Sequence, residues 1–356
     1  MKAHEKKRSI QRLWPWIIGG FLLCIVLWNL FAGLFQEEEK ELRRQLRENV
    51  KEKFTIQTAQ FSETIGLFSF ESGRPGDKKV QAAGKTVVLI HGLDDPGKVW
   101  QNLAPELTNS DFDVWLMHYP NDQPIVESTR LFYEELQKLR QHNIRRISIV
   151  AHSMGGLISR DLLTNPEIDY TRSMNNNLVP VVDTLIMVGT PNHGSQLVRL
   201  RAFGELRDHL ARLTKGEVNW LGFILDGAGE AKIDLLPGSR FLAELNARKY
   251  PEGVDMMIIA GITSPWDESD IDRSLGSLRQ KIPGDRHREI NAFAAYLTSM
   301  THGLGDGLVT VESTRLQGIP HQTVSGTHLS MIRNITQSST RIPPAIPIIV
   351  DRLKKE

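Results

Sequence analysis

The chain is almost without cysteine: Cys24 is the only one in 356 residues. It therefore has no internal disulfide, no cysteine-based metal site and no cysteine nucleophile beyond residue 24. An excess of charge of one sign is missing too. Lys and Arg number 43 against 42 Asp and Glu, a net charge of +1, so no global field favours a nucleic-acid partner and none is expected. Internal repeats and low-complexity tracts are absent, which excludes solenoids and compositionally disordered arrays. What remains, 40% hydrophobic and 24% charged residues, is the balance of one large globular domain with attachments.

Charge is missing locally from residues 13–35, which include Trp14, Trp16 and Trp28. As a helix this run spans about 34 Å, enough for a bilayer core of roughly 30 Å. Lys2, Lys6, Lys7, Arg8 and Arg12 precede it against a single Glu5. The positive-inside rule then predicts a cytoplasmic basic tail over 1–12, a transmembrane helix over 13–35, and everything beyond residue 36 on the outer side of a membrane. A cleaved secretory signal is the rival reading, although Leu30-Phe31-Ala32 has a bulky residue where cleavage wants a small one. A buried core helix is the third. Residues 36–53, dense in Glu, Lys and Arg with no Gly or Pro, read as a solvated helical stalk or a plain charged linker.

From Thr86 the chain alternates. Residues 86–90, 113–119, 146–152, 184–190 and 254–261 are short apolar runs rich in β-branched residues; 97–108 and 124–142 have helical periodicity. Strands alternating with helices imply a parallel sheet covered on both faces. Residues 195–253 are too long for an ordinary connection. Leu206, Leu210, Trp220 and Phe223 scattered there among Arg and Glu suggest a helical cap over the site, or else a peripheral helix pair. A single α/β domain is thus expected over 54–356, with the cap inside it.

The chemistry centres on Ala151-His152-Ser153-Met154-Gly155-Gly156. A buried strand runs into a small–x–Ser–x–Gly turn and on into a helix, the context of a nucleophile elbow. Its first position is Ala where Gly is usual. A serine hydroxyl needs a base, a carboxylate to orient that base, and donors for an oxyanion. Asp306, between Gly305 and Gly307 after a predicted strand, is the acid candidate. His328, in the loop after Thr323-Val324-Ser325, is the base candidate. His321 precedes that run and should lie at the far end of the strand. The backbone N–H groups of Met154, at the start of the elbow helix, and of Leu93, after His91-Gly92, are the oxyanion candidates. His91 is expected to orient its loop, and His152 to be structural.

Four motifs carry a resemblance: Val88-Leu89-Ile90-His91-Gly92-Leu93, the elbow, Val188-Gly189-Thr190-Pro191-Asn192-His193-Gly194-Ser195, and Gly305-Asp306-Gly307-Leu308-Val309. Together, over roughly residues 85–335, the chain resembles the α/β-hydrolase superfamily. More narrowly it is similar to the bacterial triacylglycerol lipases and to the GPI inositol-deacylase-like and lecithin–cholesterol acyltransferase-like enzymes. The resemblance implies a mostly parallel sheet flanked by helices, with Ser153 as nucleophile, Asp306 as acid, His328 as base, and Leu93 and Met154 at the oxyanion positions. The acidic and amide residues that hold a structural calcium in one lipase branch are absent from 329–333. No metal and no cofactor are expected. The resulting expectation is a membrane-anchored serine hydrolase of an ester or lipid substrate. The alternatives are an acyltransferase using the same three residues and a non-catalytic hydrolase-fold binding protein.

Overall fold

The computed structural model describes residues 36–55, 62–70, 85–195 without 94 and 96, 229–263, 273, 275, 303–336 and 339–355. Among the described residues seven strands form one sheet: β1 (Gly66–Ser69), β2 (Thr86–Ile90), β3 (Asp113–His118), β4 (Arg146–His152), β5 (Val181–Val188), β6 (Asp255–Ile262) and β7 (His321–Ser325), in the order β1-β3-β2-β4-β5-β6-β7. Only β1 is antiparallel to its neighbour; β2 to β7 are all parallel. The helices are α1 (Gln36–Lys53), α2 (Leu103–Asn109), α3 (Ile125–Gln141), α4 (Met154–Thr164), α5 (Tyr170–Asn175), α6 (Glu230–Asp234), α7 (Arg240–Ala247), α8 (Val311–Thr314) and α9 (Ala345–Lys354).

The two-residue period of a strand explains the apolar runs. Val88 and Ile90 of β2 pack with Phe132, Leu136, Leu157 and Leu162 of α3 and α4, while Val87 and Leu89 point the other way onto Trp100, Leu103, Ile349 and Leu353. Both faces of β2 are buried along its whole length, and the one polar side chain on it, Thr86, opens the strand and faces Asp113 Oδ2 at 3.5 Å. Each fully buried Leu or Ile contributes about 1.5–3 kcal/mol. The helix expected over 97–108 is broken into a 3₁₀ turn, Lys98–Trp100, and α2. The helix expected over 124–142 is α3, with Pro124 capping its start.

The membrane-spanning helix expected over 13–35 is corrected. Among the described residues no helix is long and apolar enough to cross a membrane, and residues 13–35 lie outside those described. α1, the long helix that follows, is mostly Glu, Lys and Arg, a composition that a bilayer core does not admit. The membrane attachment, the single-pass topology and the outer-side placement are withdrawn with it. The basic tail over 1–12 also lies outside the described residues, as does 196–228 of the expected cap. Along α1, Arg47 turns inward, 2% exposed, with its Nη2 2.8 Å from Glu127 Oε1 and 3.5 Å from Glu230 Oε1; Lys40 Nζ lies 2.6 Å from Asp234 Oδ1. The helix lies against α3 and α6 along this charged seam.

Candidate active site

At the carboxyl end of β4 the chain reverses sharply. Ser153 has φ 54° and ψ −126°, a region that costs a non-glycine residue about 1–3 kcal/mol. Its N–H donates to Val188 O of β5 at 2.8 Å, and its carbonyl accepts from Gly156 N at 3.1 Å. Neighbouring glycines make the turn possible. A Cβ on Gly155 would stand 2.4 Å from Ile90 O, one on Gly156 2.1 Å from Thr190 Oγ1, and one on Gly92 2.6 Å from Ser153 Cβ. Ala151 lies within β4, opposite Ile90 and Met187, and its methyl is buried in the core cluster they share. The methyl at the first elbow position therefore points into the core, away from the turn.

Asp306 is 2% exposed. It is held on a tight loop by the left-handed glycines Gly305 (φ 52°) and Gly307 (φ 86°). Its Oδ1 accepts from Leu308 N at 2.9 Å and Val309 N at 2.7 Å, and its Oδ2 faces His328 Nδ1 at 2.6 Å. A second tie runs between backbones, His328 N to Asp306 O at 2.9 Å. Three of the predicted residues are thus brought to one end of the sheet. Ser153 and His328 line the same cavity of about 140 Å³, together with Leu93. Met154 is the first residue of α4 and fully buried; its N–H is one of the helix's opening donors, with no acceptor in a preceding turn. His321 opens β7, where its Nε2 meets Thr314 Oγ1 at 2.8 Å, away from this cavity.

Two further histidines support the site. His152 lies beside the serine in sequence, and its Nε2–H donates to the carbonyl of His328 at 2.9 Å; the two rings tilt together at 4.6 Å. Burial holds its pKa well below the usual value, with the charge of His328 second. His91 donates Nδ1–H to Gly92 O at 2.9 Å and stacks on Tyr119 at 4.5 Å, whose hydroxyl donates to His91 O at 2.7 Å. Burial pushes its pKa down to about 4. Both rings are neutral in the folded protein and titrate near 6.5 once unfolded. Below that pH the unfolded chain binds more protons, so their contribution, complete above pH 6.5, is lost as pH falls toward 4. Thermal scans are expected to show Tm dropping between pH 7 and 4.5, and a shallower drop in His91→Gln. Parallel curves for the two proteins would remove His91 from the acid response.

Some contributors were not legible in the sequence. Gly189 has φ 60°, and a Cβ there would lie 3.2 Å from both Asp306 Oδ2 and His328 Cε1. Gly261, near the end of β6, leaves room for Asp306, whose Cβ would be 2.7 Å from a Cβ at that position. A glycine closing an apolar strand was the available signal. Asn192 is fully buried. Its side chain donates to Thr314 O at 2.7 Å and accepts from Arg160 Nη1 at 2.9 Å, which fixes the loop after β5.

A serine raised on a strand–turn–helix elbow over a mostly parallel sheet, with a buried carboxylate–histidine pair beside it, defines an α/β-hydrolase. Within that superfamily the chain belongs to the class 2 lipase family, Lipase (class 2), whose profile matches residues 84–300. It is a serine hydrolase of the lipase and esterase kind. The matched span contains Ser153 and ends before Asp306 and His328. The fold is similar to that of mature Bacillus licheniformis lipase BlEst2 at 19% identity, covering 80% of this chain and 97% of that one, with a TM-score of 0.48. It is also similar to Staphylococcus hyicus lipase (12% identity, 76% and 94% covered, TM-score 0.48). Phospholipase PlaB from Legionella pneumophila is a third likeness (18% identity, 75% and 59% covered, TM-score 0.46). No curated protein sequence matches.

Proposed function

We propose that Ser153, His328 and Asp306 form the catalytic triad of a carboxylic ester hydrolase. The observation that carries this is the pair at 2.6 Å between His328 Nδ1 and Asp306 Oδ2. A carboxylate accepting there holds the proton on Nδ1 and leaves Nε2 as the free base. Asp306 Oδ1 is occupied by two backbone N–H donors, so the carboxylate has one orientation available. Ser153 Oγ attacks the acyl carbonyl and its proton passes to His328 Nε2. The N–H groups of Leu93 and Met154 receive the oxyanion. The tetrahedral adduct collapses to an acyl-serine, the protonated histidine gives its proton to the leaving alcohol, and water then releases the acid by the same steps in reverse order.

The substrate side favours an acyl chain. Leu93, Leu235, Leu308, Val309 and Leu329 line the cavity around Ser153, and they supply the apolar wall an ester's hydrocarbon needs. Leu235 comes from the connection between β5 and β6, which supports reading residues 195–253 as a cap over the site. Within the superfamily, the 189–194 motif favours the triacylglycerol-lipase branch. A fluorophosphonate probe is expected to label the protein at Ser153, and Ser153→Ala to abolish labelling with its circular dichroism unchanged. Labelling that persists in the folded variant would sink the assignment. Release of acid from a panel running from p-nitrophenyl acetate to long-chain triacylglycerols then measures the preferred chain length.

A further inference from the structure

The loop after β5 has two sides. Pro191 and Ser195 line the catalytic cavity, whereas His193 lines a separate one of about 610 Å³. Arg160, on the nucleophile helix α4, forms part of that second wall and is only 3% exposed. Its Nη1 donates to Asn192 Oδ1 at 2.9 Å and its Nη2 to Asn246 Oδ1 at 3.0 Å. Both partners are neutral amides, and among the described residues no carboxylate pairs with this guanidinium. Burial lowers its pKa to about 10, so it remains a cation at neutral pH. The neighbouring Arg248 differs: its Nη1 lies 2.5 Å from Asp161 Oδ1, and its charge is matched.

A guanidinium has five N–H donors, and the two amides take two. A buried cation answered only by dipoles is costly until an anion completes its shell. The cavity supplies further donors. Arg315 stands at its rim, half exposed, and Tyr250 shares the wall, while His193 has already given its Nε2–H to Arg315 O at 3.0 Å. Among the described lining residues one is acidic, Glu312, whose carboxylate is 87% exposed and lies 3.5 Å from Arg315 Nε. The volume is that of a small-molecule pocket. Each Nη of Arg160 has already given one hydrogen to an amide, so the fork that a planar carboxylate would grip is partly spent. A tetrahedral oxyanion instead takes donors from several directions, as Arg160 and Arg315 offer them.

We propose that this cavity binds a phosphate-type oxyanion, free or carried by the headgroup of a phosphorylated lipid, with Arg160 as buried anchor and Arg315 at the mouth. The site stands apart from the ester-cleaving reading and does not depend on it.

Isothermal titration of the full chain with inorganic phosphate tests this, against sodium chloride at matched ionic strength. One saturable site per chain is expected. Arg160→Gln should weaken it by about tenfold, and Arg315→Gln by several-fold, while Glu312→Gln should tighten it by several-fold because a competing carboxylate is gone. The opposite signs at two exposed rim residues are what a purely structural Arg160 would not produce, and they hold the test open if Arg160→Gln fails to fold. Titration with sn-glycerol 3-phosphate separates the two sources: tighter binding than phosphate assigns the site to a headgroup, equal binding to the free ion. Absence of saturable binding to the native protein, or the same affinity in Arg315→Gln and Glu312→Gln as in the native chain, overturns the proposal.

Discussion

Ser153→Gly is expected to be inactive and more stable than the native protein. Loss of the nucleophile should lower kcat for an ester by about 10⁵- to 10⁶-fold, leaving what the oxyanion donors and binding supply. The backbone argues the other half. At φ 54° and ψ −126° a side chain is strained by about 1–3 kcal/mol and glycine is not. Glycine's greater freedom in the unfolded chain takes back about 0.5–1 kcal/mol, which leaves a net gain of about 1 kcal/mol. Gly92, whose added Cβ would stand 2.6 Å from Ser153 Cβ, shows how crowded that side chain is. Chemical denaturation and ester turnover measured on the same preparation decide it. A variant that keeps its rate removes Ser153 as nucleophile, and one that loses stability shows that the elbow carries no strain.

Asp306→Asn should cost about 10⁴-fold in kcat with little change in Tm. The carboxamide fills the same volume and can still accept from Leu308 N and Val309 N through Oδ1. Its NH₂ then faces His328 Nδ1, which must become the acceptor. The ring proton moves to Nε2, and the base is lost without a change of shape. Asp306→Ala differs in kind: it also orphans two backbone donors in a buried loop, at about 1–3 kcal/mol each, and should lower Tm. Turnover of a short p-nitrophenyl ester and thermal scans on both variants separate the two effects. Equal activity in Asp306→Asn and the native enzyme would deny Asp306 its part.

The sheet and the elbow were legible because they are local. The run 148–152 is apolar and β-branched, it ends at a small–Ser–Gly turn, and helical spacing begins at once after it. Asp306 could be picked out as the proposed acid because it sits between glycines, and His328 as the proposed base because it follows a short strand. Contacts made at long range were not. Gly189 and Gly261 read as ordinary strand ends until Asp306 and His328 are placed against them. Nothing near His152 in the chain says that its ring holds the carbonyl of His328. The composition of α1 suggests a solvated rod, and its inward Arg47 finds Glu127 and Glu230 only once α3 and α6 are in place. The anchor inferred over 13–35 rested on hydropathy, on its tryptophans and on the basic residues ahead of it, and it is the expectation that failed: among the described residues no helix is long and apolar enough to cross a membrane.

The parallel order from β4 through β7 has a consequence in time. Each of these strands is added to the sheet's edge in the order in which it is synthesised. A growing chain can therefore complete β4, the elbow and β5 while Asp306 and His328 are still untranslated. The hydrogen bond from His152 to His328 closes a separation of 176 residues, and contacts so distant in sequence form late. On the proposed triad, the serine is built early and stays unarmed until the last two strands and their loops have docked, so a partly made chain would carry the nucleophile without the means to use it.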